Sequence, residues 1–177
     1  MFAIFAFVFV VLQLSLRNVL TLQSLKQISP DLVACLAVFI CLFAHRTSAL
    51  WACWALGVAM DLAPTDDDPS YFLIGPHTLG YVFGGFLVLQ IRTTVFRRKA
   101  ITIGFMTLVF LLAASILAVF LLAVRSWYPE AQGYPALSEF WRRVLIAVYS
   151  GVLAIPVGML LNSTMMLWGF QSNVSRR

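Results

Sequence analysis

An all-α, polytopic membrane fold of six helices, one transmembrane domain over residues 1–177, is what this sequence predicts. Three observations predict it. The 177 residues are 62% hydrophobic and 11% charged with a mean hydropathy of +0.93, a balance foreign to soluble domains. Two uncharged runs, Ile101 to Val124 and Val144 to Phe170, each exceed the ~20 residues needed to cross about 30 Å of hydrocarbon. The basic residues collect in short clusters between apolar runs and form no face that could follow a phosphate backbone, so a nucleic-acid partner is not expected.

The elements follow in order. "MFAIFAFVFVVLQLSL" has no Lys or Arg before it and no small-x-small cleavage site after it, which predicts a retained first membrane helix over Met1 to Leu16. That helix is expected to run on through "RNVLTL" at the membrane surface, and Gln23 to Asp31 reads as a polar connection. Leu32 to Leu62 as one helix would be about 46 Å long at ~1.5 Å per residue, with His45-Arg46 at its centre. Splitting it at "HRTS" gives two short helices, Leu32 to Ala44 and Thr47 to Ala63, a hairpin whose basic turn sits at one interface. Tyr71 to Ile91 is the fourth helix, broken near its start by Gly75-Pro76, and the two long runs supply the fifth and sixth. Pro156 should kink the sixth without ending it.

Arg92, Arg97, Arg98 and Lys99 form the densest basic cluster, so that loop is expected in the cytoplasm together with Arg46, the Arg176-Arg177 tail and both termini. The acidic "TDDD" then falls outside. So do Arg125, Arg142 and Arg143, against the general bias, though Glu130 and Glu139 accompany them.

Asp61 stands fourteen residues after Thr47, about 21 Å up a helix that starts at the cytoplasmic face. An ionised carboxylate at the midplane costs ~2.5–3.5 kcal/mol, so Asp61 needs either a partner, with His77 the nearest candidate in sequence, or headgroup water. Asp66, Asp67 and Asp68 point in different directions and lack the calcium-loop pattern; they read as a solvated loop bounded by Pro64 and Pro69. Gly80-x-x-x-Gly84, with Gly85 beside it, makes a smooth strip on the fourth helix. Ala147-x-x-x-Gly151 and Ala154-x-x-x-Gly158 do the same on the sixth. Such strips serve internal packing or the docking of a second protein. Cys35, Cys41 and Cys53 lie in apolar segments without metal-ligand spacing and read as buried small hydrophobes. No metalloprotease, nucleophile-elbow or phosphate-loop pattern occurs, so neither an enzyme nor a cofactor is expected. Asn162 and Asn173 begin glycosylation triplets, but one lies in a span and the other in the cytoplasmic tail.

Pro30-Asp31 before an apolar segment, the basic turn His45-Arg46, Gly57 with Asp61-Leu62, and then Gly75, His77, Leu79 and Gly80 ahead of a basic loop together resemble MreD, the bacterial rod shape-determining membrane protein. The likeness covers Pro30 to Lys99 in detail and the whole chain in length and helix count. One departure is the inserted "APTDDDPSYF" where the family takes a short turn. The resemblance implies a non-enzymatic scaffold in the bacterial cytoplasmic (inner) membrane that binds MreC. Through it, the actin-like MreB filament would be coupled to RodA and its class B penicillin-binding protein for peptidoglycan synthesis during cell elongation. It also implies a fold similar to the substrate-binding subunits of energy-coupling-factor transporters, with Gly57, Asp61, Leu62, Gly75, His77, Gly80, Gly84 and Gly85 in structural or interaction roles. A small-molecule-binding subunit of a membrane transporter is the alternative, because an intramembrane Asp in a compact helical chain suits it equally.

Overall fold

The computed structural model describes residues 2–20, 29–63, 75–93, 100–125 and 136–163. All secondary structure among them is helical: α1 Phe2–Leu20, α2 Leu32–Phe43, α3 Arg46–Leu62, α4 Pro76–Ile91, α5 Ala100–Arg125 and α6 Ala136–Ser163. Within α5 and α6, Ile101–Leu121 and Phe140–Ser163 are each long and apolar enough to cross a membrane.

The break at "HRTS" is where the sequence predicts it, with α2 ending at Phe43 and α3 starting at Arg46. Elsewhere the expected bounds shift. α1 runs on past Leu16 to Leu20, as expected, whereas α6 begins at Ala136, eight residues before the uncharged run, so that Arg142 and Arg143 are helical. α4 begins at Pro76, whose ring suits the first helical position, after a Gly75 held at φ +132°. Pro156 lies inside α6 without ending it. Asp66–Asp68 and Asn173 lie outside the described residues.

α2 is the centre of the molecule. All its residues from Leu32 to Leu42 are buried, and α1, α3, α4, α5 and α6 all pack against it. The cause is compositional: "LVACLAVFICLF" carries no polar side chain on any face, and a helix apolar all round must be enclosed. The outer helices pack in chain order, α3 on α4, α4 on α5 and α5 on α6.

Glycines set those distances, and this decides the role of the small-residue strips. A Cβ at Gly84 would stand 2.8 Å from the Phe110 carbonyl oxygen on α5, and one at Gly80 would stand 3.0 Å from the Ala114 carbonyl oxygen. Gly85 faces the other way, where a Cβ would meet Cys53 Sγ of α3 at 2.7 Å. On α6, Gly151 lies against Gly104 and Leu108 of α5, and Gly158 against Ile103, with Ala147 and Ala154 fully buried. Both strips are therefore internal contacts between helices of this chain. Cys35, Cys41 and Cys53 are buried free thiols, as their apolar setting predicts.

The described helices carry extensive apolar surface. Phe7, Trp51, Ile101, Phe105, Phe120, Val152 and Leu160 are among many large hydrophobic side chains left exposed.

Candidate functional site

A twelve-residue helix is only about 18 Å long, so both ends of α2 fall inside the bundle, where unmet backbone donors and acceptors are costly. At its N-terminus Asp31 is the cap, its Oδ1 accepting from the Ala34 N–H at 2.9 Å. The other carboxylate oxygen, Oδ2, accepts from the Tyr81 hydroxyl of α4 at 2.5 Å. The Asp31 N–H donates to Ser150 Oγ of α6 at 2.8 Å. Gln13 of α1 brackets the same turn: its amide nitrogen donates to the Pro30 carbonyl (2.9 Å) and its amide oxygen accepts from the Leu32 N–H (2.7 Å). At the C-terminus, the Arg92 guanidinium donates to the Cys41 and Ala44 carbonyls at 3.1 and 2.7 Å. Side chains from three other helices thus complete the first turn of α2, and one from the end of α4 completes the last.

Asp61 answers a similar need for α4. Near the end of α3 and only 5% exposed, its Oδ2 accepts from the Gly75 and Thr78 N–H groups, both at 3.0 Å, and from the Thr78 hydroxyl. Its Oδ1 accepts from the His77 N–H at 3.2 Å. Of the two expected arrangements, a partner inside the bundle is the one found, and His77 is among the partners through its backbone N–H. Asp61 is buried rather than reaching headgroup water, and what it binds is the N-terminal turn of α4, to which His77 contributes its backbone. A carboxylate is suited to this position by the donors and positive partial charge that a helix N-terminus presents. Gly57, one turn before Asp61, makes the approach possible: a Cβ there would stand 2.6 Å from Thr78 Cα.

The residues that carry the resemblance therefore divide. Gly57, Asp61, Gly75 and His77 meet in one α3–α4 joint, and Gly80, Gly84 and Gly85 run down α4 against its neighbours. Leu62 turns outward, 63% exposed.

Beside both capped helix starts lies a cavity of about 150 Å³. All six helices or their caps line it: Val10, Gln13 and Leu14; Asp31; Met60; His77 and Tyr81; Leu111 and Ser115; Arg142 and Arg143. Its lining is amphiphilic, with polar groups at Asp31 and Tyr81 and aliphatic side chains from α1, α3 and α5. Among the described residues, no group of three or more His, Cys, Asp and Glu could hold a metal ion.

No family model, curated protein or solved structure matches this chain. The likeness to MreD accordingly rests on the residues that carry it. Reasoning from the sequence missed Gln13, Tyr81, Ser150 and Arg92 as caps, and missed the cavity altogether. The signals were an isolated Gln in an apolar helix, and an Asp directly before an apolar run.

Proposed function

We propose that this chain is a six-span scaffold of the MreD type in the bacterial inner membrane, with both termini in the cytoplasm. It would bind MreC and couple MreB to RodA and its class B penicillin-binding protein. The supporting observation is the α3–α4 joint: Gly57, Asp61, Gly75 and His77, distinctive in the sequence, form one physical unit in which each has a structural task. The apolar exterior supports a lipid surround for all six helices, the four shorter ones included. α2, about 18 Å long, is accommodated because neighbouring side chains satisfy its ends, the condition under which helix termini are tolerated at membrane depth.

The glycine strips are consumed internally, so a partner has to use other surfaces. Leu62 and the edge-to-face pair Trp51 and Trp54, with ring centroids 5.8 Å apart, lie on the exposed side of α3. Capture of the tagged chain from native membranes should bring down an MreC-like protein and the synthase pair. Leu62→Ala should keep the folded yield while reducing that capture. Recovery of the folded chain without either partner overturns the reading. The cavity favours the second reading, a small-molecule-binding transporter subunit, which would instead co-purify with an ATP-hydrolysing module.

A further inference from the structure

We propose that the cavity beside the starts of α2 and α4 binds the neutral, hydroxyl-bearing head of an acylglycerol through Ser115, Gln13, Asp31 and Tyr81. Ser115 carries the inference. It stands inside α5, is only 7% exposed and lines the cavity, yet among the described residues its hydroxyl has no hydrogen-bond partner. Thr107 on the same helix shows the ordinary solution for such a group, donating to the Ile103 carbonyl at 2.8 Å. Ser115 leaves the equivalent bond to Leu111 unmade, and its oxygen is not sealed off by protein atoms. A hydroxyl held in an apolar helix without a partner is costly, and one that opens on a cavity is offered to whatever fills it.

The neighbouring groups fix the chemistry. Among the described residues, Gln13 gives one amide N–H to the Pro30 carbonyl and keeps the other. The Tyr81 hydroxyl donates to Asp31 and keeps its lone pairs, and each Asp31 oxygen accepts one bond and has room for a second. Donors and acceptors thus line the same space. A hydroxyl, which both donates and accepts, matches this set, whereas a bare ester or ketone sets its lone pairs against those of Asp31 and Tyr81. Arg142 and Arg143, which also line the cavity, have partners of their own and are not needed for this match. The size follows from the volume: about 150 Å³ admits a group of roughly benzene size, and a glycerol unit has as many non-hydrogen atoms. Val10, Leu14 and Leu111 add aliphatic lining, and Leu14 is also 40% exposed, so an attached chain has an apolar way out along α1.

The site does not depend on the scaffold reading, and its test uses the full chain alone, so either can fail without the other. The chain in phosphatidylcholine nanodiscs is titrated with monoolein, methyl oleate and glycerol, following the melting temperature and the ligand retained in native mass spectrometry. Monoolein should be retained and raise the melting temperature. Methyl oleate, with the same acyl chain and no hydroxyl, should bind at least tenfold more weakly. Saturation by glycerol at concentrations comparable to monoolein would make the ligand a free polyol and overturn the lipid assignment. Ser115→Ala removes a hydroxyl that holds nothing in the fold, so it should leave the melting temperature of the unliganded chain unchanged. It should weaken monoolein binding about fivefold, the loss of one neutral hydrogen bond. Ala118→Leu, which extends an aliphatic side chain from the cavity lining, should abolish binding. Should either variant fail to fold, the comparison of monoolein with methyl oleate on the wild-type chain still decides. Equal binding of methyl oleate, or unchanged monoolein binding in folded Ser115→Ala, overturns the proposal.

Discussion

Asp61 and Asp31 are both acids in apolar surroundings, and each is tied to the start of a helix. Removing Asp61 leaves the Gly75, His77 and Thr78 N–H groups facing a site with little water. Asp61→Ala is expected to destabilise the protein by about 3 kcal/mol, the upper range for an unmet buried donor, with Asp61→Asn intermediate because one acceptor oxygen remains. If Asp66–Asp68 form the solvated loop that the sequence predicts, the triple Asn variant should change stability by less than about 0.5 kcal/mol. Thermal denaturation in detergent ranks them, and an Asp61→Ala protein that melts with the wild type would show that the carboxylate does not hold the joint. Asp61 was legible as a problem residue, because its distance from Thr47 put it below the interface. Its solution was legible only in part: His77 was named as a partner, but it takes part through its backbone N–H beside Gly75 and Thr78, donors whose availability depends on where α4 begins. Asp31, Tyr81 and Ser150 were harder still: the bonds from Tyr81 to Asp31 and from Asp31 to Ser150 join residues 50 and 119 positions apart.

Among elements, the two long helices and the break at "HRTS" were legible, because length, charge and hydropathy decide them locally. The enclosure of α2 follows from its lack of any polar face, a signal present in the sequence but overshadowed by the hairpin it belongs to. Which way the glycines face was left open, because identical spacing serves inner and outer contacts. Their surroundings now rank their substitutions. Gly57→Ala drives a Cβ into the Thr78 backbone, which cannot move without moving α4, and is expected to cost about 3 kcal/mol. Gly75→Ala meets nothing within 4 Å and should cost only the strain of φ +132°, about 1–2 kcal/mol. Gly85→Ala collides with the Cys53 sulfur, so Cys53→Ala should relieve it. A double-mutant cycle on melting temperature should return a favourable coupling of about 1–2 kcal/mol, whereas strict additivity would mean that the sulfur is not what limits the approach.

For the whole molecule, the described helices gather the starts of α2, α4 and α6 with the end of α3 around one cavity, while Arg92 closes the C-terminus of α2 at the opposite end. The six-span reading makes those two ends the two sides of the membrane. Single cysteines at Ser48 and Ser138, both exposed, test it on a background where the native thiols are buried. An impermeant maleimide applied from outside should label position 138 and not position 48, and the reverse pattern would invert the orientation.

The caps of α2 also impose an order on biosynthesis. A ribosome releases Asp31 long before Tyr81 and Arg92 exist, and longer still before Ser150, so the central helix emerges with its termini incomplete and waits for the last third of the chain. Under the six-span reading, α2 and α3 are until α6 arrives a hairpin that insertion machinery has to shelter. A fragment stopping at residue 130 should therefore be retained by that machinery or degraded, and co-expressing residues 131–177 should rescue it. In that sense the protein matures from its carboxyl end inward, and quality control of a nascent chain could read its completeness from whether Asp31 has found Ser150.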